Sequence, residues 1–537
     1  MTKWIFYKMM GGGKSQWTVF QHNGPMFPLS YEPHKIPVII KNKEIILPIQ
    51  AEEYATMYAK YVDTPYTENN IFNKNFWKDF EPTLKELNLD IKLVDIDFSL
   101  IKNYLIKISD EKKLLTKEEK EKIKRKNDEL EEPYKFCIID GLQQQVGNYK
   151  IEPPGIFLGR GTHPKSGRIK KRIMPEDIIL NLSKDAPIPE PNLKGHKWKE
   201  VIHNKDVVWL ASWKEQITNK NKYIFTSLDS LFKSKSDESK FDIAKQLKKK
   251  ITSIRTDYEK KMIDGNLKEK QLSTALYIID NLSLRVGGNK DTKEEADTVG
   301  VTSLRVEHIT LLENNYIKLD FLGKDSVRYC KKFIVSEIVY KNINEFMNNK
   351  TKKDNLFDLI TSSVLNEYLN SILTGLTAKV WRTYNASLLF QKELNKIKEE
   401  HFTKIDANEK LNYLISMFLQ ANASVALLCN HQKNIDASNE NMLIKIDERI
   451  KELKAKKLKY PKKKKIIDIK LKSLKLKKET KIKMKNISLG TSIQNYIDPR
   501  IIFAFIKKYD IQPEKLLTKK LIQRFEWANK IDKDYQF

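Results

Sequence analysis

The stretch 441–487 leaves this chain little choice of structure. It carries 19 Lys and Arg against 5 Asp and Glu, so it cannot bury itself as a core, and its apolar residues are spaced for one kind of element. Leu443, Ile446, Ile450 and Leu453 follow at intervals of three, four and three; beyond Pro461 and four lysines the pattern resumes at Ile467, Leu471 and Leu474. Such spacing puts one narrow apolar stripe on an α-helix, and a proline between two stripes ends the first helix. An antiparallel helical hairpin is expected, with lysines on its outer faces. The net charge of this short segment is half of the whole chain's +28. That asymmetry favours a polyanionic partner, most simply nucleic acid, whose backbone the hairpin would overlie without reading bases. The alternative is a soluble connector.

The 537 residues suffice for roughly three or four domains. Residues 1–230 are loop-rich, with short alternating runs such as "VIIKNKEIILPI" (38–49) and Pro/Gly punctuation such as "IEPPGIFLGRGTHPKSG" (151–167), which read as α+β. Within them, 107–132 has the charge pattern of a solvent-exposed helix. From about 240 the apolar period becomes helical, interrupted by "YIKLDFLGKDSVRYCKKFIV" (316–335), a hairpin with Lys324 and Asp325 at its turn. Helices resume in "LTAKVWRTYNASLLFQKEL", with Thr377 as N-cap, and in "LNYLISMFLQANASVALLCNHQK". The expected fold is a multidomain α+β protein. A mixed α/β N-terminal lobe (1–230) precedes a mainly helical lobe with a β-hairpin (231–431), the helical-hairpin linker (432–486) and a small helical C-terminal domain (487–537).

Several classes drop out. No uninterrupted apolar run approaches the roughly 20 residues that span a membrane, and the apolar patch near Met1 is too short for a secretory signal. The chain reads as soluble and intracellular, with no membrane partner. Cys137, Cys330 and Cys429 are far apart and flanked by apolar residues, so neither a zinc site nor a disulfide framework is expected. "GGGKS" (11–15) resembles half of a phosphate-binding loop, but the earlier glycine falls on Lys8 and no strand or helix frames it.

Directly after the basic tract comes "GTSIQNYIDPR" (490–500), with Tyr496 fenced by a glycine, an asparagine and an Asp-Pro turn. A phenol of pKa about 10 is ionised in roughly one molecule per thousand at pH 7, so a nucleophilic tyrosine needs help. Cations aimed at a phosphoryl group undergoing attack would supply it, and a departing sugar oxygen needs a proton donor within reach. The candidates stand at element ends. Arg285 lies where "TALYIIDNLSL" runs into "RVGGNK", Lys379 and Arg382 sit one turn apart on one helix face, Lys324 is at the hairpin turn, and His431 ends a helix. A helix C-terminus favours a protonated imidazole. Spacing alone does not assemble these residues.

The order and wording of "LSLRVGGNKD", "EEADTVGVTSLRVEHI", "DFLGKDSVRYC", "LTAKVWRTYNAS", "LLCNHQK" and "LGTSIQNYIDPR" closely resemble the eukaryotic-type DNA topoisomerase I family, the type IB enzymes. "YEPHKIPV", "IFNKNFWKDF", "KIEPPGIFLGRGTHPKSG", "RIMPEDIILNLSKDAPIP" and "GHKWKEV" resemble that family's N-terminal clamp, and "WANKIDKDYQF" its C-terminus. The resemblance implies Tyr496 as nucleophile, Arg285, Arg382 and His431 as holders of the phosphoryl oxygens, and Lys324 as general acid. It further implies DNA contacts from Arg160, Lys222, Lys290, Thr298, Asp325, Lys379 and Asn495. Among these, Arg160, Asp325 and Asn495 match the camptothecin site. The implied activity relaxes positive and negative supercoils through a 3′-phosphotyrosine, strand rotation and religation. It needs no ATP, cofactor or metal, although a divalent cation could stimulate it. The implied partner is double-stranded DNA, held by a monomer that closes as a clamp.

Three features depart from the family pattern. The sequence lacks the long basic N-terminal region usual in cellular members, Leu158 stands where a basic residue is common, and Gly288 replaces a polar residue. The Lys/Ile/Asn-heavy composition suits an AT-rich genome, giving a nuclear protein if cellular, or one of a viral factory or virion if encoded by a large DNA virus. The alternative functions are a tyrosine recombinase, a non-catalytic DNA clamp, or a metal-dependent nuclease built on "EEAD" (294–297), read here as a structural loop.

Overall fold

The computed structural model describes residues 16–399, 407–432, 437–459, seven positions between 467 and 482, and 487–537. "GGGKS" and the Pro461–Lys465 run lie outside the described residues. Two compact units divide the chain, 1–235 with 290–297, and 236–289 with 298–537.

The first unit is the expected α+β assembly of small sheets and two cores. "VIIKNKEI" forms strands Val38–Ile40 and Lys43–Ile45 in antiparallel register, and Lys41 and Asn42, both at positive φ, make a tight turn compatible with strand twist. One core is aromatic. Helix Asn70–Phe80 is capped by Asn69, whose side chain accepts from the Ile71 amide; it sends Phe72, Phe76 and Phe80 inward at intervals of four, and Tyr58 stacks on Phe76 at 4.2 Å. Leu158 packs against this core. The other core gathers Trp17, Phe20, Phe27 and Leu180, the last on a strand of a four-stranded sheet.

The charged stretch at 107–132 falls in two helices rather than one, Ser99–Leu114 and Lys117–Glu131. Thr116 breaks the run because its hydroxyl accepts from the Glu119 amide while the Glu119 carboxylate accepts from the Thr116 amide, a capping box that starts a new helix. In the loop 294–297, Glu294 and Glu295 are ion-paired with Lys165 and Lys220, so these carboxylates serve the unit's own lysines.

The second unit is mainly helical around one large core. A three-stranded antiparallel sheet, Ile309–Leu312, Tyr316–Leu322 and Arg328–Ile334, packs against the helices; its first strand escaped the sequence reading, being only four residues long. Cys330 is exposed on the edge strand, unlike the buried Cys137 and Cys429. Helix Ala407–Leu428 is long and apolar enough to cross a membrane by length and composition, but its Leu414, Phe418, Ala421 and Val425 are core residues of this unit. Residues from Ile493 to Phe537 share that core, so the C-terminal segment has no separate one. Helix Ala437–Lys459 follows the expected stripe: Ile446, Ile450 and Leu453 pack with Ile467, Leu471 and Leu474 in a small cluster apart from the main core.

Candidate active site

The helix Leu267–Leu282 begins with a capping box between Asn266 and Glu269 and ends at Ser283, which adopts the left-handed conformation at φ 51°. The chain leaves through Arg285, which is held by its backbone: the Arg285 carbonyl accepts from the Val301 amide at 2.9 Å and the Val286 carbonyl from the Thr302 amide at 2.7 Å. Glycine is required where these two segments cross. A Cβ on Gly287, at φ 83°, would stand 2.6 Å from the Gly300 Cα, and a Cβ on Gly300 would stand 2.4 Å from the Gly287 nitrogen. Gly288 has only Ser362 within 4 Å of such a Cβ and is not constrained in this way.

Lys324 is presented by the expected hairpin. Leu322 pairs with Arg328, the Gly323 amide donates to the Val327 carbonyl at 2.8 Å, and Asp325 and Ser326 both take positive φ at the tip. Arg328 donates twice to Asp320, at 2.8 and 2.7 Å, a bidentate pair that ties the two strands at the base of the turn.

The helix Ala378–Leu394 starts at Thr377, whose hydroxyl accepts from the Val380 amide. It places Arg382 inward, 3% exposed, while Lys379, one turn earlier, stays exposed. The Arg382 guanidinium is fixed on three sides: Nε donates to the Ser283 carbonyl at 2.6 Å, Nη2 to the Cys429 carbonyl at 3.1 Å and Nη1 to the Tyr496 hydroxyl at 2.8 Å. It also lies over the Tyr496 ring, 4.6 Å from its centre. Ser387 on the same helix docks the tyrosine's backbone, donating to the Tyr496 carbonyl at 3.1 Å and accepting from the Asp498 amide at 3.0 Å. A buried carboxylate, Asp280, braces this helix by accepting from Arg255 at 2.8 and 3.0 Å, Tyr258 at 2.9 Å and Trp381 at 3.0 Å.

Tyr496 occupies the break between helix Leu489–Asn495 and helix Pro499–Tyr509. Asp498 caps the second of these, accepting from the Arg500 amide with Pro499 in the first turn, so the Asp-Pro pair stops one helix and starts the next. Gly490 lies inside the first helix, not before it. His431 lies tilted beside the tyrosine with ring centres 5.2 Å apart and ring planes 33° from parallel, and its Nδ1 meets the Ser492 hydroxyl at 2.9 Å. Its Nε2 is buried without a hydrogen-bond partner among the described residues. The expected protonation of His431 is corrected here: burial, with Arg382 and Arg285 nearby, pushes its pKa down to about 3. The imidazole is neutral at pH 7 because desolvation and two guanidiniums outweigh the helix end.

Arg285, Lys324, Asp325, Arg382 and His431 line one pocket, and Arg382 joins Tyr496 to it. Thr298 is buried next to the pocket residue Val299. Asn495 precedes Tyr496 and its carbonyl accepts from Lys240 at 3.1 Å. Arg160 and Lys222 are exposed on the first unit, as is Lys290, whose segment groups with that unit. Sequence reasoning missed Ser283, Ser387, Ser492 and Asp280, which hold the site together without bearing the charge that drew attention to the others.

Three family descriptions match consecutive segments of the chain: eukaryotic DNA topoisomerase I, DNA binding fragment, over 15–226; eukaryotic DNA topoisomerase I, catalytic core, over 229–464; and C-terminal topoisomerase domain over 468–537. The chain belongs to the eukaryotic DNA topoisomerase I family. It is 41% identical to human DNA topoisomerase 1 over 558 residues, 97% of this chain and 72% of the relative. Rat DNA topoisomerase 1 is 42% identical over the same shares, and DNA topoisomerase 1 beta of Arabidopsis thaliana is 39% identical over 98% of this chain and 60% of the relative. The chain is thus a type IB DNA topoisomerase, an isomerase acting on DNA, and the pocket is lined from both the segment matched by the family's catalytic core and, through Ser488 and Thr491, the segment matched by its C-terminal domain.

Proposed function

We propose that Tyr496 is the nucleophile of this topoisomerase. Its oxygen gives up its proton to solvent and attacks a DNA phosphorus, forming a 3′-phosphotyrosine as the bond to the 5′ oxygen breaks, and Lys324 gives that oxygen its proton. Arg285, Arg382 and the His431 Nε2–H donate to the non-bridging oxygens, where negative charge gathers in the transition state. The observation that supports this reading is the buried Arg382 donating to the phenol oxygen at 2.8 Å, beside a histidine nitrogen that has no partner among the described residues. The guanidinium is thus already fixed beside the phenol oxygen before DNA arrives. The free 5′ hydroxyl attacks the phosphotyrosine after strand rotation and restores both bonds, so bond energy is conserved and neither ATP nor a cofactor is consumed. Cationic side chains take the role a metal would have at the phosphate, so a divalent cation acts as a stimulant at most.

Arg160, Lys222 and Lys290 on the first unit, and Thr298, Asp325, Lys379 and Asn495 on the second, are assigned to DNA contacts. The working species is a monomer on duplex DNA, in the nucleus if the protein is cellular, or in a viral factory or virion if a large DNA virus encodes it. Camptothecin-type inhibitors are expected to trap the covalent complex through Asp325 and Asn495; no accumulation of nicked DNA at saturating drug would refute this. The activity is tested by relaxing positively and negatively supercoiled plasmid in EDTA without ATP. Relaxation of both signs is expected, and dependence on metal or ATP would overturn the reading.

A further inference from the structure

Ser492 stands one turn before Tyr496, fully buried, and ties two parts of the site together. Its carbonyl accepts from the amides of Tyr496 and Ile497 at 2.9 and 3.0 Å, and its hydroxyl meets His431 Nδ1 at 2.9 Å. A neutral imidazole carries one proton, on one of two nitrogens, and the partner of one nitrogen decides the state of the other. If Nδ1 held the proton, Nε2 would turn a lone pair toward a phosphoryl oxygen and repel it. The Ser492 O–H would then also need another acceptor, and its hydroxyl makes no other hydrogen bond among the described residues. If Nε2 holds the proton, the Ser492 hydroxyl donates to Nδ1 and a single buried N–H remains, on a ring that lines the pocket where phosphate would satisfy it.

We propose that Ser492 is a positioning residue that donates to His431 Nδ1 and keeps the imidazole as the Nε2–H tautomer, a neutral donor aimed at a non-bridging phosphoryl oxygen. This rests on the reading of His431 as a phosphoryl contact. It has a consequence for the order of events: the donor is set by the helix that carries the nucleophile, so His431 is ready only when that helix is docked. Nucleophile and oxygen-holding donor are thereby assembled together.

The test is single-turnover cleavage of a suicide duplex by the full chain at saturating DNA, with S492A, H431A and the double variant. S492A is expected to slow cleavage roughly ten- to a hundredfold, the range for partners that orient a ring through its far nitrogen, with DNA affinity unchanged. In the H431A background the same substitution adds no further loss, because residues acting through one group are not additive. An S492A enzyme cleaving at the unsubstituted rate, or losing the same factor with and without His431, overturns the inference while leaving the role of His431 intact. Normal cleavage by H431A removes the reading beneath it. Independently of how the variants fold, 15N spectra of the histidine-labelled unsubstituted protein should show His431 protonated at Nε2 and bare at Nδ1; a protonated Nδ1 contradicts the proposal.

Discussion

The pocket and the basic hairpin are both cationic, yet they are built by opposite rules. In the pocket, Arg382 is buried and each direction of its guanidinium is taken by a named acceptor. In the hairpin, Lys451, Lys454 and Lys456 of helix Ala437–Lys459 are exposed around a stripe of three buried apolar residues. A desolvated, oriented charge acts on one atom and keeps its strength, whereas exposed charges act on a whole polyanion and are screened by salt. Charge alone therefore does not identify chemistry; fixed orientation does.

That contrast breaks most sharply at the nucleophile. Tyr496→Phe should abolish the covalent complex while DNA affinity changes by about 1 kcal/mol or less, the worth of one hydroxyl hydrogen bond; gel-trapped adduct and salt-dependent binding read the two separately. Arg382→Ala comes next, with single-turnover cleavage slowed by about 10² to 10³. Lysine at that position should not restore it, because three separate acceptors need the planar fork.

Ser387→Ala tests the scaffold. It leaves the Asp498 amide and the Tyr496 carbonyl without their buried partner, and should cost about 1–3 kcal/mol in denaturant unfolding. Neutralising Lys451, Lys454 and Lys456 to glutamine should do the reverse of the pocket variants, leaving the cleavage rate in place and lowering the slope of log affinity against log salt by about 0.9 for each phosphate that is no longer neutralised.

The smallest effect is in pH. Burial holds His431 at about 3 and His22 at about 4, below the ordinary 6.5, so the unfolded chain binds protons that the folded one does not. Both contributions are fully present above pH 6.5 and are lost as pH falls toward these folded values. A His431→Gln protein should lose less stability than the unsubstituted one between pH 7 and 5, measured as urea midpoints.

What the sequence made legible follows the reach of each signal. Thr377 as a cap, the turn at Lys324 and the paired stripes of the hairpin are local patterns, and the structure has them where the spacing puts them. Ser283, Ser387 and Ser492 were silent because their partners lie 99, 109 and 61 residues away, and a serine carries no periodic mark. His431 was misread for the same reason. Its helix end was visible, but the burial that decides its charge comes from tertiary packing. Arg285, Lys324, Arg382 and His431 are grouped by resemblance to a family, and the geometry brings these four, with Asp325, to one pocket.

The most direct measurement is to trap the protein on end-labelled DNA with a denaturing stop, digest the adduct and locate the modified residue. The account predicts a 3′-phosphodiester on Tyr496, formed in EDTA without ATP and absent from Tyr496→Phe. An adduct on another residue, a 5′ linkage, or adduct persisting in that variant would contradict it.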